Sequence, residues 1–328
     1  MEFAFRNEGI YLPQIDLWLD PRALVEHAWL SHAHSDHARG LHSTVIGTRA
    51  TLAIYRHRWP LPPGRLQQIL PLNPNESLDW RGARLTPLRA AHILGAAQLL
   101  IEYQGERIVY TGDIKLRAPI CGWPTQLVPC DRLIIESTFG LPIYQFLDAS
   151  AARARIVLFA QETLAAGLTP VFLGYGLGRG QEIVHTLTQA GLPCSVHGAI
   201  AGLLPYYEAE GYEFPGWQPY QRRKVETSAL VVTPGMQDSL AIPSAQVRVA
   251  LVSGWAAVDS ARARSGADVL IPYSDHASFP ELLEMVHASG ASHIDVVHGY
   301  TEPFARLLRL RGHNAHAAGT AVPTEVQV

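Results

Sequence analysis

The chain has 328 residues, of which 48% are hydrophobic and 17% charged, and its net charge is −3. That composition excludes an intrinsically disordered chain and gives enough mass for a substantial core, in one large domain or, as we expect, two. The slightly acidic balance excludes broad, non-specific attraction to nucleic acid, so any contact with a polyanion must rest on a local groove. The cysteines, Cys121, Cys130 and Cys194, are odd in number and widely spaced, which fits buried thiols in a reducing compartment better than a disulfide framework or a thiolate metal site. Met1 to Tyr11 carries Glu2, Arg6, Asn7 and Glu8, so it lacks a signal-peptide core, and no apolar run reaches spanning length. A cytoplasmic protein without membrane contact is the expectation.

Ile15 to Asp20 reads as a strand whose tip is a carboxylate, followed at once by Pro21. By itself Asp20 favours a turn role. The stretch Ser31-His32-Ala33-His34-Ser35-Asp36-His37 reverses that preference. It spells H-x-H-x-D-H behind the apolar run Ala28 to Leu30, so His32 and His34, two apart on extended chain, present their imidazoles on one face and can serve one ion. Asp36 and His37 are adjacent and must be aimed elsewhere by a bend, most simply at a second ion. Nitrogen and oxygen donors without thiolate suit zinc or manganese. Asp20 then reads as a carboxylate that orients a metal-bound imidazole by accepting its free ring N–H.

A helix from Ala50 to Arg58, closed by prolines, and strands at 44–47, 68–72, 84–89, 99–103 and 107–110 make a sheet-rich half. Two of these strands run into His92 and into Thr111-Gly112-Asp113. Either residue alone is unremarkable, but beside the histidine cluster they are the further ligands a dinuclear site needs, with Asp113 the better bridge because it has two oxygens to share. Residues 131–140 repeat the pattern of an apolar strand emptying into polar residues, here Glu136-Ser137-Thr138. From about Asp148 the texture changes to alternating helices and strands, the helices stopping at Gly167, Gly191 and Gly211, an α/β layer pattern that reads as a separate lobe. The Gly174 to Gly180 loop, with Gly176, Gly178 and Arg179, and Ser253 farther on are candidates to hold a phosphate; for the loop, a plain tight turn is an equal alternative. Arg222-Arg223-Lys224 is most simply a solvated turn. His276 and His298 are again expected where strands end.

In combination these pieces resemble the metallo-β-lactamase fold and, within it, the β-CASP branch of nucleases. Asp20, the run His32 to His37, His92 and Asp113 match the motifs of the parent fold, and Glu136, His276 and His298 match those of the branch, in order along the chain. Ile135 to Tyr144 and Val297 to Tyr300 further resemble bacterial DNA exonucleases associated with an ATP-dependent DNA ligase and a helicase. The resemblance implies an α/β fold, an αββα sandwich (1–147 and 267–328) with an inserted α/β cap domain (148–266) and an active site in the cleft between them. It implies two Zn2+, with Mn2+ as the alternative. One ion would take His32, His34, His92 and Asp113, the other Asp36, His37, Asp113 and His298. A hydroxide held between them would attack the phosphodiester, with Asp36 and Asp113 serving catalysis as well. Glu136 would orient His276, which would contact the scissile phosphate or protonate the leaving oxygen, and products would carry a 5′-phosphate. The implied function is a DNA exonuclease of repair. The alternatives are a ribonuclease of the same branch, a small-molecule metallo-hydrolase and an inactive scaffold subunit. Only 30 residues follow His298, so grip on the substrate is expected from the cleft itself.

Overall fold

Alternation along the central strands dictates two stacked sheets. In the computed structural model, which describes residues 1–221, 228–237 and 240–318, the first sheet runs in chain order: β1 (Ala4–Arg6), β2 (Gly9–Leu12), β3 (Leu17–Leu19), β4 (His27–Leu30), β5 (Thr44–Thr48) and β6 (Gln68–Leu72). Its opening hairpins are antiparallel and its pairs from β3 to β6 parallel. The Arg222-Arg223-Lys224 run lies outside the described residues.

The second sheet holds β7 (Leu78–Trp80), β8 (Ala83–Arg89), β9 (Ala97–Tyr103), β10 (Glu106–Tyr110) and β11 (Arg132–Ser137). On β9, β10 and β11, Leu99, Ile101, Ile108, Tyr110 and Ile134 face the first sheet and pack with Leu17, Trp29 and Ile46. Leu100, Val109, Leu133 and Ile135, one residue out of step, face a different core. Period-2 side-chain alternation thus buries these strands on both faces. Helix α1 (Arg49–Arg58) covers the outside of the first sheet, setting Leu52 and Tyr55 against Ala28, Leu30 and Val45.

The chain then builds a third sheet from β12 (Thr169–Leu173), β13 (Cys194–Val196), β14 (Trp217–Pro219), β15 (Ala229–Val232), β16 (Val247–Val252) and β17 (Val269–Ile271), all parallel, in the order β14-β13-β15-β12-β16-β17. Its helices include α2 (Ala149–Ala165), capped by Asp148 accepting from the Ala151 N–H at 2.8 Å, and α3 (Arg179–Gln189). Short α4 (Gly198–Ala201), α5 (Leu204–Glu208) and α6 (Ser260–Ser265) complete this part.

Helix α7 (Phe279–Ser289) starts with a capping box of Ser278 and Glu281 and stops at Gly290, φ 59°. Strand β18 (His293–Gly299), α8 (Thr301–Leu310) and β19 (Ala315–Ala317) return to the second sheet, whose order is β19-β18-β11-β10-β9-β8-β7. Leu282, Met285, Val286, Phe304 and Leu308 close its outer face. The layers of this part are therefore helix, sheet, sheet, helix, the αββα arrangement.

Two compact units result: one comprises Met1–Arg117, Trp123–Pro142 and the chain from His276, the other Ala118–Gly122 and Ile143–Asp275. Among the described residues no helix is long and apolar enough to cross a membrane.

His42 in the first unit is 1% exposed, and burial pushes its imidazole down to about 4. In the unfolded chain it titrates near 6.5, as free histidine does. Between pH ~6.5 and ~4 the unfolded state therefore binds the extra proton, and this contribution to stability is lost as the pH falls through that window. His42→Gln is expected to flatten the decline, seen as a smaller difference in urea midpoint between pH 7 and pH 5 than in the wild type.

Candidate metal centre

Strand β4 delivers its chain to the site and ends at Leu30. Beyond it the backbone bends, with the N–H groups of His37 and Ala38 donating to the His34 carbonyl at 3.2 and 2.8 Å. That bend separates the aims of the four side chains. His32 and His37 are buried, His34 is half-buried and Asp36 is exposed. His32, His34 and His92 stand nearly perpendicular to one another, with ring centroids 4.6 to 4.9 Å apart. The Asp113 carboxylate completes a set with them whose candidate ligand atoms all lie within 4.8 Å.

Asp113 Oδ2 lies 3.4 Å from His32 Nε2 and 3.4 Å from His37 Nε2. On the His37 side stand Asp36, with Oδ2 3.8 Å from His37 Nε2, and His298, its ring 5.0 Å from that of His37. A third group leans on the same oxygen: His276 Nε2 is 3.9 Å from it, and His276 Nδ1 is 3.0 Å from both oxygens of Glu136. Glu136 is fully buried and also accepts from the N–H groups of Ile114 at 2.8 Å and Thr138 at 3.2 Å. A carboxylate ringed by these donors is suited to fixing the His276 ring.

Asp20 sits at φ 43°, a left-handed conformation rare for a side-chain-bearing residue. Its carboxylate accepts from the Ser31 N–H at 2.7 Å, the Ser31 hydroxyl at 2.5 Å, His37 Nδ1 at 2.8 Å and the Tyr110 hydroxyl at 2.7 Å. Sequence reasoning missed Ser31 and Tyr110. The only signal available was position, one directly before His32 and the other leading into Thr111-Gly112-Asp113.

The donors fit divalent metal. Buried nitrogens normally find hydrogen-bond partners, yet His32 Nε2 and His298 Nε2 are buried without one, the first 3.4 Å from Asp113 Oδ2 and the second on a ring 5.0 Å from that of His37. Without cations the charges are strained: burial raises Asp113 to about 7, and His298 is pushed down to about 4 by burial and by His37. Burial also works to lower His37, but Asp113 and Asp36 outweigh it and raise that ring to about 10. Imidazole and carboxylate converging in this way, with no thiolate, are the donor chemistry of zinc or manganese sites.

Two details depart from the sequence reading. His276 is not at a strand end: β17 stops at Ile271, and irregular chain leads from there to α7. His298 lies within β18, where the pairing with β11 slips from Glu136↔Val297 to Ser137↔Gly299. The slip leaves His298 as a bulge at φ 54°, and a bulge re-aims its side chain. Gly299 beside it has φ 71°, and a Cβ there would stand 2.4 Å from Thr138 Cα. Gly299→Ala is expected to cost roughly 3 kcal/mol or more, the range of a strained backbone position. Lower metal content and a lower Tm should appear together.

The glycine loop turns its described polar groups inward. Arg179 is 1% exposed and donates to Glu182 and Asp275, with its guanidinium carbon 4.0 Å above the Tyr273 ring. The Gly178 N–H donates to Gln181 Oε1 at 2.7 Å, and the Gly176 carbonyl accepts from Gln181 Nε2 at 2.8 Å. Ser253 is buried and accepts from the Trp255 N–H at 3.3 Å. These groups are committed to partners inside the protein, as in a tight turn.

No family model matches the chain. It is 35% identical over 319 residues to a probable DNA ligase of Opitutus terrae, a match covering 95% of this chain and 31% of that protein. It is 33% identical over 127 residues to cleavage and polyadenylation specificity factor subunit 3 of Dictyostelium discoideum, covering 38% of this chain and 16% of that one. It is 36% identical over 101 residues to an RNase J-like protein of Methanocaldococcus jannaschii, covering 29% and 23%. The chain thus spans less than a third of the length of these curated relatives. A solved structure of a protein of unknown function from Enterococcus faecalis V583 superposes with a TM-score of 0.58 at 14% identity, covering 87% of this chain and 77% of that one, and shows the fold alone. With the αββα layers, the His/Asp cluster and these relatives taken together, the chain belongs to the β-CASP family of the metallo-β-lactamase fold.

Proposed function

We propose that this protein is a two-metal phosphodiesterase acting on DNA, from an end, in repair. The observation that carries the reading is the placing of one carboxylate oxygen, Asp113 Oδ2, 3.4 Å from a histidine of each ligand set. His32, His34, His92 and Asp113 would hold one ion, and Asp36, His37, Asp113 and His298 the other. Zinc is the metal we favour, with manganese as the alternative. Divalent ions bound there supply Lewis acidity toward a phosphodiester and its attacking water.

The chain's own residues do the rest. Glu136 accepts from His276 Nδ1, so His276 Nε2 is left on the Asp113 side, where it can contact the scissile phosphate or hand a proton to the leaving oxygen. His276→Ala is expected to keep its metal and to lose about 10²- to 10⁴-fold in turnover, the usual worth of a general acid. Metal analysis beside single-turnover rates checks this, and loss of metal in the variant would make His276 a ligand instead.

DNA as the polymer is supported by the match along 95% of this chain to a protein named a probable DNA ligase. With it we infer a functional link to an ATP-dependent DNA ligase and a helicase. Free, buried Cys121, Cys130 and Cys194 suit a reducing compartment, and we place the protein in the cytoplasm. RNA is the second reading, favoured by relatives named as an endoribonuclease and an RNase J-like protein. The deciding experiment is a time course on DNA and RNA oligonucleotides of one sequence, labelled at either end, with zinc or manganese and Asp113→Ala as control. Preferential loss of DNA, absent in the control, supports the first reading, and the order of label release gives polarity. Preferential loss of RNA replaces it with the second.

A further inference from the structure

The hydrogen bonds around Asp20 fix which nitrogen of two metal-site histidines carries the proton. Asp20 Oδ2 can only accept, and the Ser31 hydroxyl is 2.5 Å from it. A hydroxyl has a single proton to give. Having given it to Asp20, Ser31 Oγ can only accept from its other neighbour, His32 Nδ1, at 3.0 Å. His32 Nδ1 therefore bears hydrogen and Nε2 bears a lone pair, and that Nε2 is a buried atom without a hydrogen-bond partner, 3.4 Å from Asp113 Oδ2. The same logic runs directly to His37. Its Nδ1 donates to Asp20 Oδ2 at 2.8 Å, so once the ring carries a single proton that proton is on Nδ1 and the free donor is Nε2, 3.4 Å from Asp113 Oδ2.

We propose that Ser31 is a positioning residue that relays Asp20 to His32, so that one carboxylate holds a proton on Nδ1 of one imidazole in each of the two ligand sets and leaves Nε2 as the nitrogen offered to metal. Tyr110, fully buried, holds Asp20 Oδ2 by its hydroxyl at 2.7 Å but has no path of its own to either ring. Hydrogen-bond partners behind a ligand typically set metal affinity by ~10- to 100-fold. Here the serine controls the His32 side alone, whereas the aspartate controls both. The consequence for metal rests on the two-ion reading of the site; the Nδ1 protons do not, since their hydrogen bonds are present in the metal-free protein.

The test begins with metal-free protein labelled with 15N at histidine, whose long-range proton–nitrogen spectra separate the two tautomers. Wild type is expected to show His32 with a single proton, on Nδ1, and His37 with its Nδ1 protonated whether the ring is charged or neutral. Ser31→Ala should release His32 into a mixture while His37 stays as it was, and Tyr110→Phe, which removes a hydrogen bond from the same oxygen, should change neither tautomer. Zinc titration against a chromophoric chelator should then show one of two affinities lowered ~10- to 100-fold in Ser31→Ala and both lowered in Asp20→Asn. Should Asp20→Asn fail to fold, Ser31→Ala decides alone, because Asp20 keeps its other donors there. Protonation of His32 at Nε2 in the wild type overturns the proposal, as does a Ser31→Ala protein with unchanged His32 and unchanged zinc affinities, or with both affinities lowered equally. Absence of nuclease activity with the expected tautomers and zinc affinities would instead count against the proposed function alone.

Discussion

Asp113→Ala is expected to lose turnover by about a thousandfold or more and to retain less than one metal ion per chain. Its Oδ2 stands 3.4 Å from His32, 3.4 Å from His37, 3.7 Å from His92 and 3.9 Å from His276. Removing it takes away the anion that the facing histidines share, and both proposed ligand sets would lose a donor in one step. The loss in rate follows from the same event, since charge stabilisation at a reacting phosphodiester is worth ~10²- to 10³-fold for a single group and here serves two ions. Metal analysis of protein freed of excess ions, beside rates on a labelled oligonucleotide, provides the check. A variant that kept two ions yet lost its rate would make Asp113 a participant in the reaction rather than the bridge. A wild type holding far fewer than two ions would bring the scaffold reading forward.

The convergence of the histidines was legible because their spacing is local. His32 and His34 share a face by the two-residue period of extended chain, and His37 leaves that face at a bend whose hydrogen bonds close on His34. The central strands were legible for the same reason: Leu99, Leu100 and Ile101 alternate between two cores, and that alternation is written in the order of residues. What could not be read depends on partners distant along the chain. The bulge at His298 exists only in register with Glu136 and Ser137. The Ser31 and Tyr110 hydroxyls gain their meaning from Asp20. A glycine loop ahead of a helix offers N–H groups to an anion by local logic, and nothing local told that Asp275, remote in sequence, would accept from Arg179.

That network in the second unit carries the other large effect. Burial works to strip the Arg179 guanidinium of its charge, but Asp275 and Glu182 hold it firmly protonated. Glu182 in turn accepts from the Ile120 N–H at 2.6 Å, the Cys121 N–H at 3.3 Å and the Tyr273 hydroxyl at 3.4 Å. Arg179→Met preserves much of the stem and its packing on Tyr273, yet leaves two carboxylates with 3% and 7% exposure, Glu182 and Asp275, without their cation. Breaking a buried pair by removing one partner costs about 3–5 kcal/mol, a large fraction of the ~5–15 kcal/mol by which a domain is stable. Urea unfolding, with hydrogen exchange read on the amides of α3, should show the loss concentrated in the second unit. Neutralising the carboxylates as well, in Arg179→Met with Glu182→Gln and Asp275→Asn, should recover part of it, because the penalty arises from unpaired buried charge. An Arg179→Met protein within ~1 kcal/mol of wild type would mean that water reaches these carboxylates, and the loop would then again be open to an anion.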